Sequence, residues 1–417
     1  MELRNDPTLR TQSISWIPHH FLINFHQMPK VVISSFNRVH SLKRLLDSLL
    51  IHPSIEIVIS IDRSENNDVY HLAYSYRENH SNIEIIRQTK NLGLKQHILS
   101  CGDLTQDIGS IILLEDDLFV SPYFYEYSSK ALEFYKTEDR ISGISLYSHF
   151  YNETAGMRFE PLQSSGDVYF HQLACSWGQA WTFDQWIGFR TWLDKDRHKF
   201  KDKYLPRDVQ VWPKSSWKKD FIAYNIDTEK YFVYPYLSLS TNFGDPGTHH
   251  KGSNGHLQVP LQYLKKDYKF INFSFEEPVY DTYCELDSRS MSFLSGDSRW
   301  NDVELNLYGT KDIDNISKRK VCCPFKPSVS DKSFGLSLKP KELNMIYNIP
   351  GEDLYLADKA AFDRNHEDLS HSERISYFYN IPIRIVSESE LIKNAYEKSI
   401  SWRVTKPLRW IKRFFNS

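Results

Sequence analysis

Long apolar runs are missing from this 417-residue chain. No segment approaches the roughly 18 apolar residues of a membrane-spanning helix, and the N-terminus lacks the charged, apolar and small-residue order of a secretory signal. A soluble protein is expected. Cysteine is scarce: Cys101, Cys175, Cys284, Cys322 and Cys323 form an odd set without metal-like spacing, and vicinal Cys322-Cys323 is neither a C-x-x-C motif nor a zinc knuckle. A reducing cytosol is the simplest home for such a set. An excess of one charge is absent too, since 51 Lys and Arg face 53 Asp and Glu for a net charge of −2; nothing draws the chain globally to nucleic acid or anionic lipid. Walker-type loops, G-x-G-x-x-G, H-E-x-x-H and a serine nucleophile elbow are all missing, which excludes kinase-like, dinucleotide, zinc-protease and serine-hydrolase readings. There is no internal repeat. What abounds is aromatic, with 25 Tyr, 25 Phe and 10 Trp, a composition that suits sugar-binding surfaces and aromatic cores alike.

Residues 1–29 lack periodicity and read as an N-terminal arm. From Lys30 a regular alternation begins. Val31 to Phe36 reads as a buried strand, and Leu42, Leu45, Leu46 and Leu49 recur at the spacing of an amphipathic helix. Strands follow at Ile55–Ile61 and Ile83–Arg87, with helices near 66–79 and 94–104. The run Ser110 to Leu114 is the fourth strand. Such alternation predicts an α/β fold with a mostly parallel sheet flanked by helices. Tyr123 to Tyr135 is helical in spacing, residues 141–275 hold short strands and aromatic loops, and 276–335 show many turn formers. Residues 336–400 read as helical, with Pro340 suited to a first helical turn and Ser370 with Glu373 fitting a capping box. The expected divisions are an arm at 1–29, a catalytic domain at 30–275, an accessory region of mixed α/β or helical character at 276–400, and a basic tail at 401–417.

The fourth strand delivers Glu115, Asp116 and Asp117 in succession to its carboxyl end. Ligands of parallel sheets sit beyond such ends, and Asp62 arrives separately at the same rim. Adjacent carboxylates gain nothing from a core, whereas Mg²⁺ and Mn²⁺ take one or two carboxylates plus phosphate oxygens and water. A solvated acidic turn is the plainer reading.

Several blocks, in order, carry a resemblance: Asn91-Leu92-Gly93-Leu94; Leu114 to Leu118 with Ser121 to Phe124; Cys175 to Trp181; Trp212 to Trp217; and Tyr234-Pro235 leading to Asn242-Phe243-Gly244-Asp245. The sequence resembles the nucleotide-sugar-dependent glycosyltransferases of the GT-A fold, a Rossmann-like architecture. It is most similar to the inverting family typified by the eukaryotic N-acetylglucosaminyltransferase that initiates hybrid and complex N-glycans, and to its bacterial relatives. The resemblance implies Mn²⁺ or Mg²⁺ on Asp117, the nucleotide on Asp116, and the donor sugar on Glu115. It implies nucleotide contacts at Arg38 and Asp62, with Phe36 and Gly93 in the same donor-binding set. Trp177 and Gly178 would wall the pocket. The implied donor is a UDP-sugar, UDP-GlcNAc among them. Asp220 is the candidate general base of an inverting transfer, although the family places an acid directly after the tryptophan matching Trp217, where this chain has Lys218 and Lys219; Asp184 and Asp245 are the alternatives. His249, after a tight-turn loop, is placed to complete a metal shell or to lie on the surface.

Lys406 to Phe415 mixes four basic residues with large apolar ones, which fits a membrane-surface anchor or a docked terminal helix. The expectation is a cytoplasmic, metal-dependent glycosyltransferase acting on a glycan or lipid-linked acceptor in bacterial surface polysaccharide synthesis, peripheral to the inner membrane face and without a nucleic-acid partner. A retaining transferase, or a catalytically weak nucleotide-sugar- or carbohydrate-binding protein, are the competing expectations.

Overall fold

Four runs dense in Val, Ile and Leu become four parallel strands: β1 (Lys30–Ser35), β2 (Ile57–Ile61), β3 (Ile83–Arg87) and β4 (Ser110–Glu115). β1, β2 and β4, buried on both faces, need no polar alternation, whereas β3 at the sheet edge exposes Glu84. The computed structural model describes residues 28–52, 54–245, 257–362 and 375–376. Nearly all of these fall in a unit that closes at Asp368; a second unit comprises Leu369–Ser417.

The helices between these strands are α1 (Val39–Leu49), α2 (Asp68–Asn79), α3 (Gly93–Asp103) and α4 (Thr105–Ile108). Leu42, Leu45, Leu46 and Leu49 of α1 are fully buried against the sheet, each worth about 1.5–3 kcal/mol of apolar burial. Next come β5 (Leu118–Val120), α5 (Phe124–Tyr135), β6 (Ile141–Ser145), a small hairpin of β7 (Tyr151–Asn152) and β8 (Met157–Arg158), β9 (Val168–His171) and β10 (Gln179–Thr182). Then α6 (Phe183–Lys195), opened by a Thr182–Gln185 capping box, α7 (Arg207–Gln210), α8 (Trp217–Asp227), β11 (Tyr231–Pro235), β12 (Ser240–Asn242) and β13 (Val279–Tyr280) complete this part. The main sheet has nine strands in the order β3-β2-β1-β4-β10-β6-β11-β9-β13. Five of its eight pairings are parallel; β10 is antiparallel to both neighbours, and β9 to β11. This is the expected α/β fold with a large, mostly parallel sheet.

Register places the functional rim. Ser34 lies opposite Glu115 and Ser35 opposite Ile61, so the carboxyl ends of β1, β2 and β4 finish level. The chain moves outward from β1 to β2 and β3, then returns to place β4 on the other flank of β1. The crevice between β1 and β4 is the topological switch point.

Beyond residue 275 the chain does not leave this sheet at once, because β13 pairs with β9. It continues through α9 (Ser288–Ser295), β14 (Val303–Leu305), β15 (Lys320–Cys323), β16 (Lys332–Phe334), α10 (Leu343–Ile346) and β17 (Leu354–Asp358). The last four strands form a second sheet, β14-β15-β17-β16. Residues 354–358 were expected to be helical and are a strand: Leu354 and Ala357 are buried, and the segment pairs on both edges. Pro340 precedes α10 by three residues rather than lying within it. All five cysteines are free and buried. Among the described residues no helix is long and apolar enough to cross a membrane. The Ser370–Glu373 capping box, the 406–415 tail and residues 1–27 of the arm lie outside the described residues.

Candidate active site

Strand β4 ends at Glu115, and a tight turn of Asp116 and Asp117 leads into β5. The turn is tied to β1, since the Asp116 amide donates to the Ser34 carbonyl at 3.2 Å. Ser35 Oγ donates to Asp116 Oδ2 at 2.8 Å, and the Phe36 amide reaches the same oxygen at 3.4 Å. Arg38, in the loop after β1, crosses the switch point. Its guanidinium donates to Asp117 Oδ2 at 2.8 Å and pairs with Asp116 Oδ1. Burial works against the Arg38 charge, but Asp116 and Asp117 outweigh it and raise the guanidinium pKa.

One guanidinium does not neutralise three acids. Burial, with the nearby Asp117 and Asp116 charges, pushes the Glu115 carboxyl up to about 8 against the pull of Arg38 and Lys218. Burial likewise raises Asp116, opposed by Arg38. Asp117 Oδ1 is buried and has no hydrogen-bond partner among the described residues, an arrangement normally costly to leave unmade. A divalent cation fits this oxygen. Among the described residues no three His, Cys, Asp or Glu side chains are grouped to hold a metal, so further ligands would come from phosphate oxygens and water, as is usual for Mg²⁺. His249 lies outside the described residues.

Asp62 ends β2 with both carboxylate oxygens occupied. The amides of Arg63 and Leu92 donate to Oδ1 at 2.9 and 2.8 Å, and that of Gly93 to Oδ2 at 3.0 Å. It thereby pins the turn that starts α3, where Gly93 takes φ +72°, a left-handed conformation that glycine adopts without a Cβ clash. Behind this turn His97 bridges Ser34 Oγ at 3.2 Å and Ser60 Oγ at 2.8 Å; burial lowers its pKa to about 4.

The other wall is aromatic. Gly178 has φ +93°, and a Cβ there would lie 2.9 Å from Ser240 Oγ. Its carbonyl accepts from the Leu146 amide at 2.9 Å, while Ser240 Oγ donates to the Trp177 carbonyl. These bonds hold the Trp177 ring 4.7 Å from Tyr147 and 4.8 Å from Lys218 Nζ.

Residues 30–179 match the profile described as glycosyl transferase family 2. That segment is a glycosyltransferase domain. It covers less than half of the chain, and the match is to the broad family rather than to the N-acetylglucosaminyltransferases. No curated protein matches the sequence. Among solved structures, the chain is similar to the mannosyltransferase PcManGT from Pyrobaculum calidifontis in complex with GDP-Man and Mn²⁺, at 11% identity over 39% of this chain and 46% of that one, TM-score 0.29. It is similar to GalNAc-T7 with UDP, GalNAc and Mn²⁺, at 13% identity over 51% and 43%, TM-score 0.34. A third is S. aureus TarS 1–349, at 12% identity over 51% and 59%, TM-score 0.32. The chain thus spans less than two thirds of each of these three.

Within the glycosyltransferase segment, Phe36, Arg38, Glu115, Asp116 and Asp117 gather at the switch point, Asp62 and Gly93 form the adjoining turn, and Trp177 and Gly178 form the aromatic wall. The base candidates lie beyond it. Asp220 is buried on α8 with Oδ2 held by Lys95 Nζ at 2.5 Å and Oδ1 by Arg197 Nε at 2.5 Å, so both oxygens are engaged in ion pairs. Asp184 follows Thr182, which pairs with Ser110 at the start of β4; it belongs to the opposite rim. Asp245 accepts from Ser41 Oγ at 2.7 Å and pairs with Arg44; burial opposes its charge, but Arg44 and Ser41 prevail and hold it below the usual carboxylate range. Sequence reasoning did not find Ser35, His97 or Lys95, which carry no motif and act only through long-range pairing. Lys218 was visible as a departure after Trp217. Its ammonium lies over the rings of Trp177 and Trp212.

Proposed function

We propose that this chain is a metal-dependent glycosyltransferase using a nucleotide-diphosphate sugar, UDP-linked, and a glycan or lipid-linked acceptor. The observation carrying this reading is the buried, unpartnered Asp117 Oδ1 beside Asp116 at the switch point of a glycosyltransferase family 2 domain. Asp117 would hold Mn²⁺ or Mg²⁺ together with the donor phosphates. Such an ion supplies neutralisation of the charge that develops on the departing diphosphate. Arg38 would turn from the acidic pair toward those phosphates, Asp116 and the Asp62–Gly93 turn would bound the nucleotide, and Glu115 with Trp177 would face the sugar. Inversion at the anomeric carbon is the favoured outcome, with surface-polysaccharide synthesis at the cytoplasmic membrane face as the context. Tail residues 406–415 would make the membrane contact.

UDP release from UDP-sugars should be stimulated by Mn²⁺ and lost in Asp117→Ala. Donor binding by wild-type protein with no turnover would sink this reading. It would favour a catalytically weak nucleotide-sugar-binding protein, for which the paired state of Asp220 speaks. The anomeric configuration of the product, read by NMR, decides between inversion and retention.

A further inference from the structure

None of Asp220, Asp184 and Asp245 presents a free carboxylate at the rim, yet an inverting transfer needs one. A different acid is disposed for it. Next to Trp177 lies a cleft lined by His149, Asn152, Glu153, Trp212 and Lys218, with room of about 20 Å³ for a water-sized group, enough for one hydroxyl. One of its polar atoms is buried without a hydrogen-bond partner among the described residues, and an ammonium stands beside it. His149 is 3% exposed, and its Nε2 has no partner among the described residues. Lys218 is 8% exposed; its ammonium lies over the rings of Trp177 and Trp212, at 4.8 and 5.3 Å, and finds no hydrogen-bond acceptor among the described residues. Aromatic faces stabilise the charge but leave the N–H donors unmatched.

Glu153, in the turn of the β7–β8 hairpin, completes the cleft. Its carboxylate is 36% exposed and makes no hydrogen bond among the described residues; its charge partner is Lys218 at 4.0 Å. The cleft and the acidic rim are neighbours, because Lys218 lies over Trp177, two residues before Gln179, which pairs with Leu113 near the end of β4. Lys218 follows Trp217, and Glu153 presents a carboxylate to it from across the cleft.

We propose that Glu153 is the general base of the transfer and that the acceptor hydroxyl enters this cleft. The inference rests on the glycosyltransferase reading. The hydroxyl, oriented by Lys218 and His149, gives its proton to the Glu153 carboxylate as its oxygen bonds to the anomeric carbon. The bond from that carbon to the phosphate oxygen breaks, and its electron pair leaves with the nucleotide diphosphate.

The test uses the full chain, UDP-glucose, UDP-GlcNAc and UDP-galactose as donors with water as acceptor, and Mn²⁺. UDP–Mn²⁺ affinity is measured on the same samples by calorimetry. Glu153→Gln should lower the UDP-release rate at least 100-fold, with UDP–Mn²⁺ affinity and melting midpoint unchanged; removing a general base typically costs on the order of 10²–10⁴ in rate. Glu153→Asp should keep a measurable part of the rate. A Glu153→Gln rate within threefold of wild type overturns the proposal while leaving the transferase reading intact. Wild-type protein that neither binds UDP–Mn²⁺ nor releases UDP overturns both.

Discussion

Asp220 on α8 accepts a hydrogen bond from Lys95 on α3 at 2.5 Å, across 125 residues of sequence. With Arg197 on its other oxygen, the carboxylate is the hub of a buried charge cluster that joins the two helices. Asp220→Asn should therefore act on stability first. Leaving Lys95 and Arg197 without their carboxylate should cost about 3 kcal/mol, read as a lowered denaturation midpoint. Donor turnover per folded molecule should stay within a few-fold of wild type. A rate collapse at unchanged stability would instead make Asp220 the base.

Arg38 occupies the place that a cation would take beside Asp116 and Asp117. Arg38→Met removes it from a nearly fully buried Asp116. Without metal the melting midpoint should fall by the equivalent of about 3 kcal/mol. Added Mn²⁺ should recover at least half of that loss, by supplying positive charge to the same oxygens. Calorimetric scans with and without Mn²⁺ check this, and a loss indifferent to Mn²⁺ would argue against a cation at Asp117.

The pH dependence has two opposed parts. The folded-state Glu115 carboxyl titrates near 8, above its ordinary value of 4.5, so the native state holds a proton that the unfolded chain has released. Stability should fall as pH rises between these values, by at most about 1.4 kcal/mol per pH unit. His97 and His171 are shifted the other way, to about 4 and about 3, by burial; below 6.5 the unfolded chain binds protons that these rings refuse. From pH 7 to 8 the Glu115 slope survives over that of Glu285, whose carboxyl burial pushes up only to about 7. Glu115→Gln should flatten that interval in denaturant titrations and leave the acid-side loss in place.

Two glycines separate backbone strain from crowding. Gly93→Ala meets open space at φ +72°, so its cost should be the left-handed penalty alone, about 1–2 kcal/mol. Gly178→Ala adds a Cβ 2.9 Å from Ser240 Oγ at φ +93°. It should cost at least twice as much and shift the fluorescence of Trp177, which Ser240 helps to hold. Equilibrium unfolding of the two variants, side by side, is the measurement.

The sequence made the central sheet plain because β1, β2 and β4 are buried on both faces and need unbroken apolar runs. Glu115, Asp116 and Asp117 stood out because a strand end has no structural use for three acids. Other features depend on partners far away in the chain. Asp62 looks inward to Leu92 and Gly93, and nothing in its neighbourhood distinguishes that from a ligand contact. Asp220 kept its acidic identity, but Lys95 and Arg197 decide its state. The strand at Leu354–Asp358 was hidden because five residues fit either periodicity, and only the pairing with β15 and β16 selects one.

The short strand β13 bears on how far the protein can be dissected. Val279 and Tyr280 cover the outer row of backbone groups on β9: the Phe170 amide donates to the Pro278 carbonyl, and that of Gln172 to the Tyr280 carbonyl. A protein cut after residue 275 would bare that row beside a cluster of buried rings, Phe159 and Tyr169 among them. Open, apolar strand edges recruit other chains. The part of the molecule that holds the acidic turn is thus not a module that can be trimmed free, since the polypeptide after it covers this strand edge.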